Sequence, residues 1–491
     1  MHPNIIYLYP GVCTMKVKML VILIVFLQCL IFARIINVPV DYPKIQSAIN
    51  ASQDGDTIVV YPGTYRENIR FLGKKVVLTS RFYESLDNSY ILSTIIDGST
   101  HTSPDTGSVV LFINHEDSTS VIQGFTLTGG SGTNWKDEHG AGIYREGGAI
   151  LTAFSGPTIK NNLIINNACV KNNKVVSSGG GAIRSGDGYP RILNNVILNN
   201  VGRYGTALVF NYCNAIVRNN IIYKNSGGED YAGGAIWVNQ DLNTPKIIEN
   251  NTIVGNSSVS GGGGYSDNYG SSTILRNNIF WGNKGLSNAQ IYIKTGSATL
   301  SYCDVQGGFK GNGNINVDPQ FSDTVFVLKS TSPCIDAGDS SLILNDRADP
   351  NNSSKTLWPS QGGLRNDMGA YGGQGSSTLP FFQILTGINR DFDNKIPIEF
   401  DLYQNYPNPF NPSTIISYKL SNSAEVMLKI YDALGREIKT LVDKLEPAGY
   451  YSVTFDASGL SAGVYFYQLR VSTPSGKADQ YNETQKMTLL K

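Results

Sequence analysis

The sequence is poor in charged residues. Asp, Glu, Lys and Arg make up 16% of its 491 residues, and 39 basic residues balance 39 acidic ones, so the formal net charge is zero. Because nucleic-acid binding depends on an excess of Lys and Arg on one surface, we exclude a nucleic-acid partner. A polar but weakly charged composition that includes 52 glycines favours an all-β extracellular protein over a cytosolic enzyme.

Cysteine is scarce as well. Six are present, and none has the Cys-x-x-Cys or Cys/His spacing of a zinc site, so we expect no required cofactor. Cys303 and Cys334 flank the end of a repeated region, and two interpretations of them stay open: a disulfide in an oxidising compartment, or buried free thiols. The other cysteines are Cys13, Cys29, Cys169 and Cys213.

Long apolar patterns with helical periodicity are missing from residues 143–283, and two short phrases alternate there instead. One phrase is Gly-Gly-Ala-Ile, and the other places two adjacent Asn residues between apolar ones. The second Asn recurs at steps of 33, 25, 31 and 27 residues, a variable period typical of a solenoid of short strands and tight turns. We therefore predict a parallel β-helix. These second Asn residues are Asn162, Asn195, Asn220, Asn251 and Asn278.

Alternation of side chains along each strand assigns faces to the repeat. Coils stack about 4.8 Å apart, and in the last Gly-Gly-Ala-Ile copy Ile236 and Val238 can point inward only if Trp237 points outward. The paired Asn residues are expected at coil corners, where they accept left-handed geometry and form hydrogen-bonded ladders. The insert 131–139 is predicted to be a loop. The same count predicts an outward column of Leu151, Arg184, Val209 and Trp237.

A leader precedes the repeat. Lys16 and Lys18 stand before a 14-residue apolar run that ends near Ala33, the pattern of a signal peptide over residues 1–33. The run is short for a membrane-spanning helix. Translation could begin at Met1 or at Met15, which would give a more usual signal peptide. We expect an exported protein.

The start of the mature chain carries a family resemblance. Residues 42–65 read Tyr-Pro-Lys-Ile-Gln-Ser-Ala-Ile-Asn and then, after a short spacer, Gly-Asp-Thr-Ile-Val-Val-Tyr-Pro-Gly-Thr-Tyr. This segment resembles the amino-terminal entry of right-handed β-helix proteins of the pectin-lyase-like class. The resemblance implies a right-handed solenoid over 38–313 with a cap at 38–80. The helical spacing of Ile45, Ala48 and Ile49 predicts a short helix that covers the open end.

A different segment follows the repeat. Residues 314–374 include Asp-Pro-Gln-Phe, Ser-Pro-Cys-Ile-Asp-Ala-Gly-Asp and Asp-Met-Gly-Ala-Tyr-Gly, and they are similar to a carboxy-terminal module that often follows β-helices in secreted bacterial proteins. We expect this module to cap the far end of the solenoid. Its loop carboxylates suit calcium, although aspartates in loops also simply form turns. The candidate calcium ligands are Asp336, Asp339, Asp346 and Asp349.

The last domain, residues 399–491, follows a linker at 375–398. It opens with Leu-Tyr-Gln-Asn-Tyr-Pro-Asn-Pro-Phe-Asn-Pro-Ser-Thr at 402–414, and regularly spaced strand and hairpin signals then predict a small immunoglobulin-like β-sandwich. It closely resembles the type A sorting domain of the type IX secretion system of Bacteroidota and their relatives. The resemblance implies the secretion machinery as a partner, and a product that is secreted or held at the outer cell surface.

The outer wall of the repeat offers candidates for carbohydrate chemistry. A polysaccharide lyase needs a proton acceptor and a group that neutralises the sugar carboxylate, and a hydrolase needs two carboxylates. Sugars also stack on aromatic rings and bond to polar groups. The candidate catalytic residues are Arg184, Asp187, Tyr204 and Asp230. The candidate substrate-binding residues are Trp237, Asn239 and Tyr231.

Two function classes therefore stay open. In the first, a monomeric solenoid binds an extracellular polysaccharide or cleaves it in a lyase-like reaction. In the second, it is a non-catalytic adhesin or structural surface protein, because turn residues of any soluble solenoid are polar. The fold alone does not decide between them.

Overall fold

The computed structural model describes residues 33–376 and 400–490, apart from 102, 170, 172, 287–288, 323–325, 351, 406–407, 421–423, 447–448 and 473–478. The predicted signal peptide, except for its last residue, and nearly all of the predicted linker lie outside the described residues. The chain divides into two compact units, one of Met1–Pro319 with Pro333–Leu379 and the other of Gln320–Ser332 with Pro380–Lys491.

The first unit is a parallel β-solenoid, as predicted. In each full coil the chain passes through three parallel sheets, which have ten, nine and eight strands. Sheet 1 consists of Ile35–Val38, Thr57–Val60, Val77–Ser80, Val121–Gln123, Thr158–Lys160, Arg191–Leu193, Ile216–Arg218, Lys246–Glu249, Ser272–Arg276 and Ser297–Ser301. Sheet 2 consists of Gly63–Tyr65, Thr94–Asp97, Thr126–Thr128, Leu163–Ile165, Val196–Leu198, Ile221–Tyr223, Thr252–Val254, Ile279–Trp281 and Asp304–Val305. Sheet 3 consists of Ile69–Arg70, Val110–Phe112, Ile150–Ala153, Ile183–Gly186, Leu208–Asn211, Ile236–Asn239, Tyr265–Asp267 and Ile291–Ile293.

Short helices and small sheets accompany the three main sheets. The short helix Ile45–Ala51 buries the three predicted residues Ile45, Ala48 and Ile49 in the solenoid core, so that expectation is confirmed. Within the described ranges, no helix is long and apolar enough to cross a membrane. The other helices are Phe82–Ser85, Ser89–Ser93, Gly98–Thr100 and Leu342–Leu344. The small sheets comprise Thr106–Gly107, Gly132–Lys136, Ile143–Glu146 and Ser178–Gly179; Ala168–Cys169, Val201–Gly202 and Ser226–Gly227; and Ala348–Asp349 with Asn352–Thr356.

Register along sheet 3 separates an inner column from an outer one. Ile183, Leu208 and Ile236 align on neighbouring strands and are fully buried in the core. The residues that follow them form the predicted outward column, in which Arg184, Val209 and Trp237 are paired in register. Their side chains are nevertheless buried, because other parts of the chain cover this face of the sheet.

The predicted asparagine ladder is present. Asn195, for example, donates from Nδ2 to Asn220 Oδ1 at 3.1 Å, and its backbone N–H donates to the same oxygen at 2.9 Å. Its Nδ2 also donates to the carbonyls of Ile159 and Leu193. The ladder residues are fully buried, while the first Asn of each pair has left-handed geometry, with φ of 56° at Asn194 and 54° at Asn219. At each corner, therefore, the first Asn supplies the left-handed backbone conformation and the second supplies the hydrogen bonds between coils.

A second ladder runs along the corner between sheets 2 and 3. Asn200 Nδ2 donates to Asn225 Oδ1 at 3.0 Å and to the carbonyls of Ile164 and Leu198. Sequence analysis did not single out this ladder. Its members are Asn167, Asn200, Asn225, Asn256 and Asn283.

The segment 333–376 lies along the side of the solenoid rather than across its end. The first Asn of each pair binds it: Asn219 Nδ2 donates to the carbonyl of Gly372 at 2.7 Å, and Asn250 Nδ2 donates to Asn366 Oδ1 at 2.8 Å. Gly369 has a φ of +92°, and a Cβ on it would lie 2.7 Å from Ile279 Cδ1, so only glycine allows this close approach. In the predicted capping module 314–374, Ile315 and Val317 bond to Asp304 and its neighbours on the last coil, whereas 333–376 forms a strap that follows several coil corners.

The second unit contains the predicted β-sandwich. Two antiparallel sheets enclose one core in which Leu428, Tyr467, Leu469 and Met487 are fully buried. Alternate residues of each strand point into this core, which is the pattern that a two-layer fold requires. One sheet comprises Asp401–Leu402, Ser413–Leu420 and Gly449–Asp456, and the other comprises Ala424–Asp432, Glu437–Glu446, Gly463–Ser472 and Asp479–Leu489.

Candidate functional site

A β-hairpin covers the outer face of sheet 3. Gly132–Lys136 and Ile143–Glu146 pair antiparallel, so the prediction of a loop over 131–139 is wrong. The alternation in Thr-Asn-Trp-Lys at 133–136 was the available strand signal. The hairpin turn carries Asp137, Glu138 and His139 toward the coils, and it supplies partners that sequence analysis missed.

Arg184 is held by two carboxylates of this hairpin. Its Nη1 and Nη2 each donate to one oxygen of Glu138 at 2.6 Å, and its Nε lies 2.8 Å from Glu146 Oε2. Burial raises the pKa of Glu138, but the hydrogen bonds and charge of Arg184 outweigh it, so that this pKa lies below its usual value. Burial raises the pKa of Glu146 despite the opposing charge of Arg184. The guanidinium is completely buried and already paired.

Five aromatic rings form a connected group above sheet 3, called the aromatic cluster below. The Tyr204 ring makes edge contacts with its neighbours at centroid distances of 5.1 Å to Trp237 and 5.6 Å to Tyr231, and Trp237 contacts Tyr269 at 5.9 Å. Tyr204 donates its hydroxyl to Glu146, which links the cluster to the Arg184 ion pairs. Burial first and then Glu146 raise the pKa of Tyr204 well above its usual value. The members are Tyr144, Tyr204, Tyr231, Trp237 and Tyr269.

Trp237 is the floor of this cluster rather than an exposed platform. It points away from the solenoid core, as predicted, but only 5% of its surface is exposed. Its Nε1 donates to the carbonyl of Tyr231 at 2.9 Å. The rings that reach solvent are Tyr269, which is 43% exposed, and the half-buried Tyr144 and Tyr231. The tyrosines therefore form the accessible surface of the cluster.

Asp187 directly follows a strand of sheet 3, and Asn239 is the last residue of another. Asp187 is 3.1 Å from His139 Nε2, and the His139 ring stacks on Tyr212 with centroids 3.6 Å apart. Burial raises the pKa of Asp187, and His139 partly opposes that shift. Asn239 donates to Asn211 Oδ1 at 2.6 Å. Both candidates thus belong to hydrogen-bonded contacts along the edge of the sheet.

Asp230 lies at the opposite edge of the cluster in an ion pair. Arg203 Nε and Nη2 donate to its two oxygens at 2.9 and 3.0 Å, and the Ser177 hydroxyl donates to it as well. The Arg203 hydrogen bonds hold the pKa of Asp230 below its usual value. Arg203 also lies 3.9 Å from Glu229. The structure therefore brings the predicted site residues into one region, where charged groups are paired.

The four candidate calcium ligands do not converge. Asp346 is buried and accepts from the backbone of Asp367, whereas Asp339 lies 3.4 Å from Arg276 on the solenoid. Asp349 belongs to the hairpin strand Ala348–Asp349. Among the described residues, no group of three or more Asp, Glu, His or Cys side chains is arranged to hold a metal ion. Calcium binding stays a prediction without a site that supports it.

Cys303 and Cys334 are free thiols, and both are buried. Cys303 lies beside Asn278, at the end of the first ladder, and Cys334 lies 3.3 Å from Asp304 Oδ2. Of the two interpretations of Cys303 and Cys334, the structure therefore agrees with buried thiols rather than with a disulfide. Cys169 and Cys213 are free and buried as well.

One comparison with known proteins identifies the last domain. Residues 404–478 match the family described as secretion system C-terminal sorting domain. A domain of this kind implies interaction with the type IX secretion machinery and export to the cell surface or beyond. A search of curated proteins found no match to the chain.

Proposed function

We propose that the exported solenoid binds an extracellular polysaccharide at the aromatic cluster. The observation that carries the proposal is the exposure of Tyr269, Tyr231 and Tyr144 above a floor formed by Trp237. Sugar rings stack their apolar faces on aromatic rings, and their hydroxyls bond to polar groups at the rim. Asn239 and Asp187 are candidates for such polar contacts, since both lie where strands of sheet 3 end.

The layout of the cluster suits a chain rather than a single sugar. Tyr204, Trp237 and Tyr269 belong to successive coils, and coils stack at about 4.8 Å. The rings are therefore distributed along the solenoid axis. A linear glycan that runs in this direction could contact several of them at once.

Lyase-like cleavage is a separate part of the proposal. Its candidate residues are Arg184, Asp187, Tyr204 and Asp230, and a lyase would need one of them to accept a proton and another to neutralise a carboxylate. Each has a partner already, and Arg184 and Tyr204 are buried. Catalysis by Arg184, Asp187 or Tyr204 would require the hairpin, which carries their partners, to move away from sheet 3. Catalysis by Asp230 would require its release from Arg203.

A second candidate function is favoured by that same pairing. If Arg184, Tyr204 and Trp237 serve only to attach the hairpin to the coils, the solenoid is a non-catalytic adhesin or a structural surface protein. In this case the exposed tyrosines either contact another macromolecule or have no specific ligand. Binding measurements distinguish the two functions.

The test uses residues 34–491 with a panel of neutral and acidic polysaccharides, with and without calcium. Ultraviolet absorbance would reveal lyase products, and reducing ends would reveal hydrolysis. Tyr269→Ala should weaken binding about fivefold, because a stacked ring contributes roughly 1 kcal/mol. Tyr83→Ala is the matched control, since Tyr83 is 58% exposed on the helix Phe82–Ser85.

Each result has a defined meaning. Binding that Tyr269→Ala weakens and Tyr83→Ala leaves unchanged would support the polysaccharide site. Binding with no product in either assay would remove the lyase-like part. Absence of binding across the whole panel would overturn the proposal in favour of the adhesin or structural protein.

A further inference from the structure

We infer that the polysaccharide suited to the aromatic cluster is uncharged rather than rich in uronic acids. This inference rests on the binding part of the proposed function and concerns the charges that surround the exposed rings. It argues against the lyase-like part, because a lyase acts beside a sugar carboxylate that an uncharged glycan lacks. A site for a polyanion presents cationic groups that are free to bond with carboxylates of the ligand. At this site the nearby arginines are already bonded to carboxylates of the protein.

Arg184 is one of these arginines. Its three donor nitrogens contact Glu138 and Glu146, and its side chain has no exposed surface. Two acidic groups thus surround one basic group below the cluster. If a sugar carboxylate replaced Glu138 and Glu146 as the partner of Arg184, these two buried carboxylates would lose their ion pairs, which costs several kcal/mol.

Arg203 is the other arginine beside the cluster. Its nitrogens bond to both oxygens of Asp230 and lie near Glu229, and its side chain is 37% exposed. Lys171 also acts on Asp230 and lowers its pKa further, after the hydrogen bonds from Arg203 and Ser177. The bidentate geometry uses the face of the guanidinium that would otherwise bind a carboxylate or sulfate.

Carboxylates with exposed surface add to this pattern. The Glu229 side chain is 44% exposed on one side of the cluster, and Asp187 is partly exposed on the other side beside His139. Asp137 lies in the same hairpin turn and accepts from Asn211 at 3.2 Å. An approaching polyanion would meet like charge, which slows association and weakens binding. A neutral glycan is not repelled by these carboxylates, and its hydroxyls can donate hydrogen bonds to them.

The test compares an uncharged β-linked glucan and a xylan with polygalacturonate and alginate, using residues 34–491 at low and at physiological salt. The neutral glycans should bind with an affinity that salt changes less than twofold. The polyanions should bind at least tenfold more weakly at low salt. Tighter binding of a polyanion than of every neutral glycan would overturn the inference while leaving the proposed function in place. Failure of all four to bind would instead remove the proposed function, and the inference with it.

Two matched variants locate the cause. Asp230→Asn removes the carboxylate that binds Arg203 and should raise the affinity for polyanions relative to neutral glycans about fivefold at low salt. Glu84→Gln frees Arg81 from a similar 2.9 Å ion pair on the helix Phe82–Ser85, away from the cluster, and should leave this ratio of affinities unchanged. If Asp230→Asn leaves the ratio unchanged while the variant folds normally by circular dichroism, charge at this site does not select the ligand and the inference fails.

Discussion

The smallest unit that holds the solenoid together is a single asparagine. Asn220 is fully buried, donates from Nδ2 to Asn251 Oδ1 and to two carbonyls, and accepts from the backbone N–H and Nδ2 of Asn195. Asn220→Ala leaves several of these groups without partners. Since each unsatisfied buried group costs about 1–3 kcal/mol, we expect the free energy of unfolding to fall by about 3 kcal/mol or more.

Urea unfolding measured by circular dichroism tests this expectation. Asn50→Ala is the control, because Asn50 is exposed at a helical position and should change stability by less than about 0.5 kcal/mol. Equal stability of the two variants would mean that the ladder contributes little beyond the backbone hydrogen bonds of the sheets.

Trp237 has a structural role that its outward direction did not reveal. Removal of a ring that is 95% buried in the aromatic cluster should destabilise the solenoid by about 3–5 kcal/mol. Trp358→Ala should have a much smaller effect, since 54% of Trp358 is exposed. Chemical unfolding of both variants gives the comparison. A stability loss below 1 kcal/mol for Trp237→Ala would show that the aromatic cluster remains stable without this ring.

Sequence periodicity correctly predicted on which face of a strand a side chain lies. It did not predict whether that side chain is buried. Alternation placed Trp237 outside the core correctly, but its burial by Tyr204 and Tyr269, which lie on the coils before and after it, leaves no local signal. The second Asn ladder escaped notice for a related reason. The left-handed residue before it is Asn166 or Asn199 in early coils but Lys224, Gly255 or Gly282 in later ones, so the doublet disappears from the sequence.

Among the larger elements, the hairpin Gly132–Glu146 is attached by buried ion pairs to Arg184. Glu138→Gln removes one of the two carboxylates that bind Arg184 and leaves Glu146 as the other, so the loss should be about 1.5–3 kcal/mol, the contribution of a hydrogen bond to a charged group. The cost should appear locally, as faster hydrogen exchange over 132–146 than over the coils. Glu84→Gln breaks an exposed pair with Arg81 and should cost less than about 1 kcal/mol. Unchanged exchange in the hairpin would show that its backbone pairing suffices.

The strap 333–376 should respond to pH. Burial, and then the charge of Asp367, raise the pKa of Asp346 above its usual value, and burial raises the pKa of Asp367. In the unfolded chain both titrate near pH 4. Between that value and the higher folded pKa the folded state binds more protons, so stability is full at low pH and declines as pH rises through the window.

We therefore expect the melting temperature of the solenoid unit to fall between about pH 5 and about pH 9, and Asp346→Asn to reduce this fall. Asp349→Asn, in the neighbouring hairpin, is the control and should keep the wild-type dependence. A melting temperature that rises over the same range in the wild-type protein would contradict the sign of the argument.

Both elements show the limit of local sequence signals. Residues 131–139 were predicted as a loop because their partners, such as Arg184, lie 46 residues away from Glu138. The strap was recognised as a separate module, but its placement depends on the first Asn of each pair, whose side chain had no assigned partner in the repeat. Contacts of this kind follow from the three-dimensional stacking of coils, which the period alone does not supply.

At the scale of the whole molecule, the chain combines a stack of coils with a domain of the secretion system sorting family. The sandwich was predictable because its strands alternate strictly and because its opening motif is specific. The solenoid was predictable because its coils repeat. The ligand of the solenoid was not, since the same repeat builds enzymes, lectin-like proteins and structural rods.

The boundary of the sorting domain gives the last prediction. The family match ends at residue 478, but the strand Asp479–Leu489 pairs with Gly463–Ser472 and places Met487 and Leu489 in the core with 0% and 3% exposure. Removing residues 479–491 would expose that core and an unpaired strand edge. In a host with a type IX secretion system, we expect this truncation to keep the protein in the periplasm, as should removal of 400–491, whereas the Tyr83→Ala protein should be exported normally. Cell fractionation with an antibody against the solenoid measures the distribution. Normal export after loss of 479–491, but not after loss of 400–491, would show that the machinery recognises residues 400–478 without the complete sandwich.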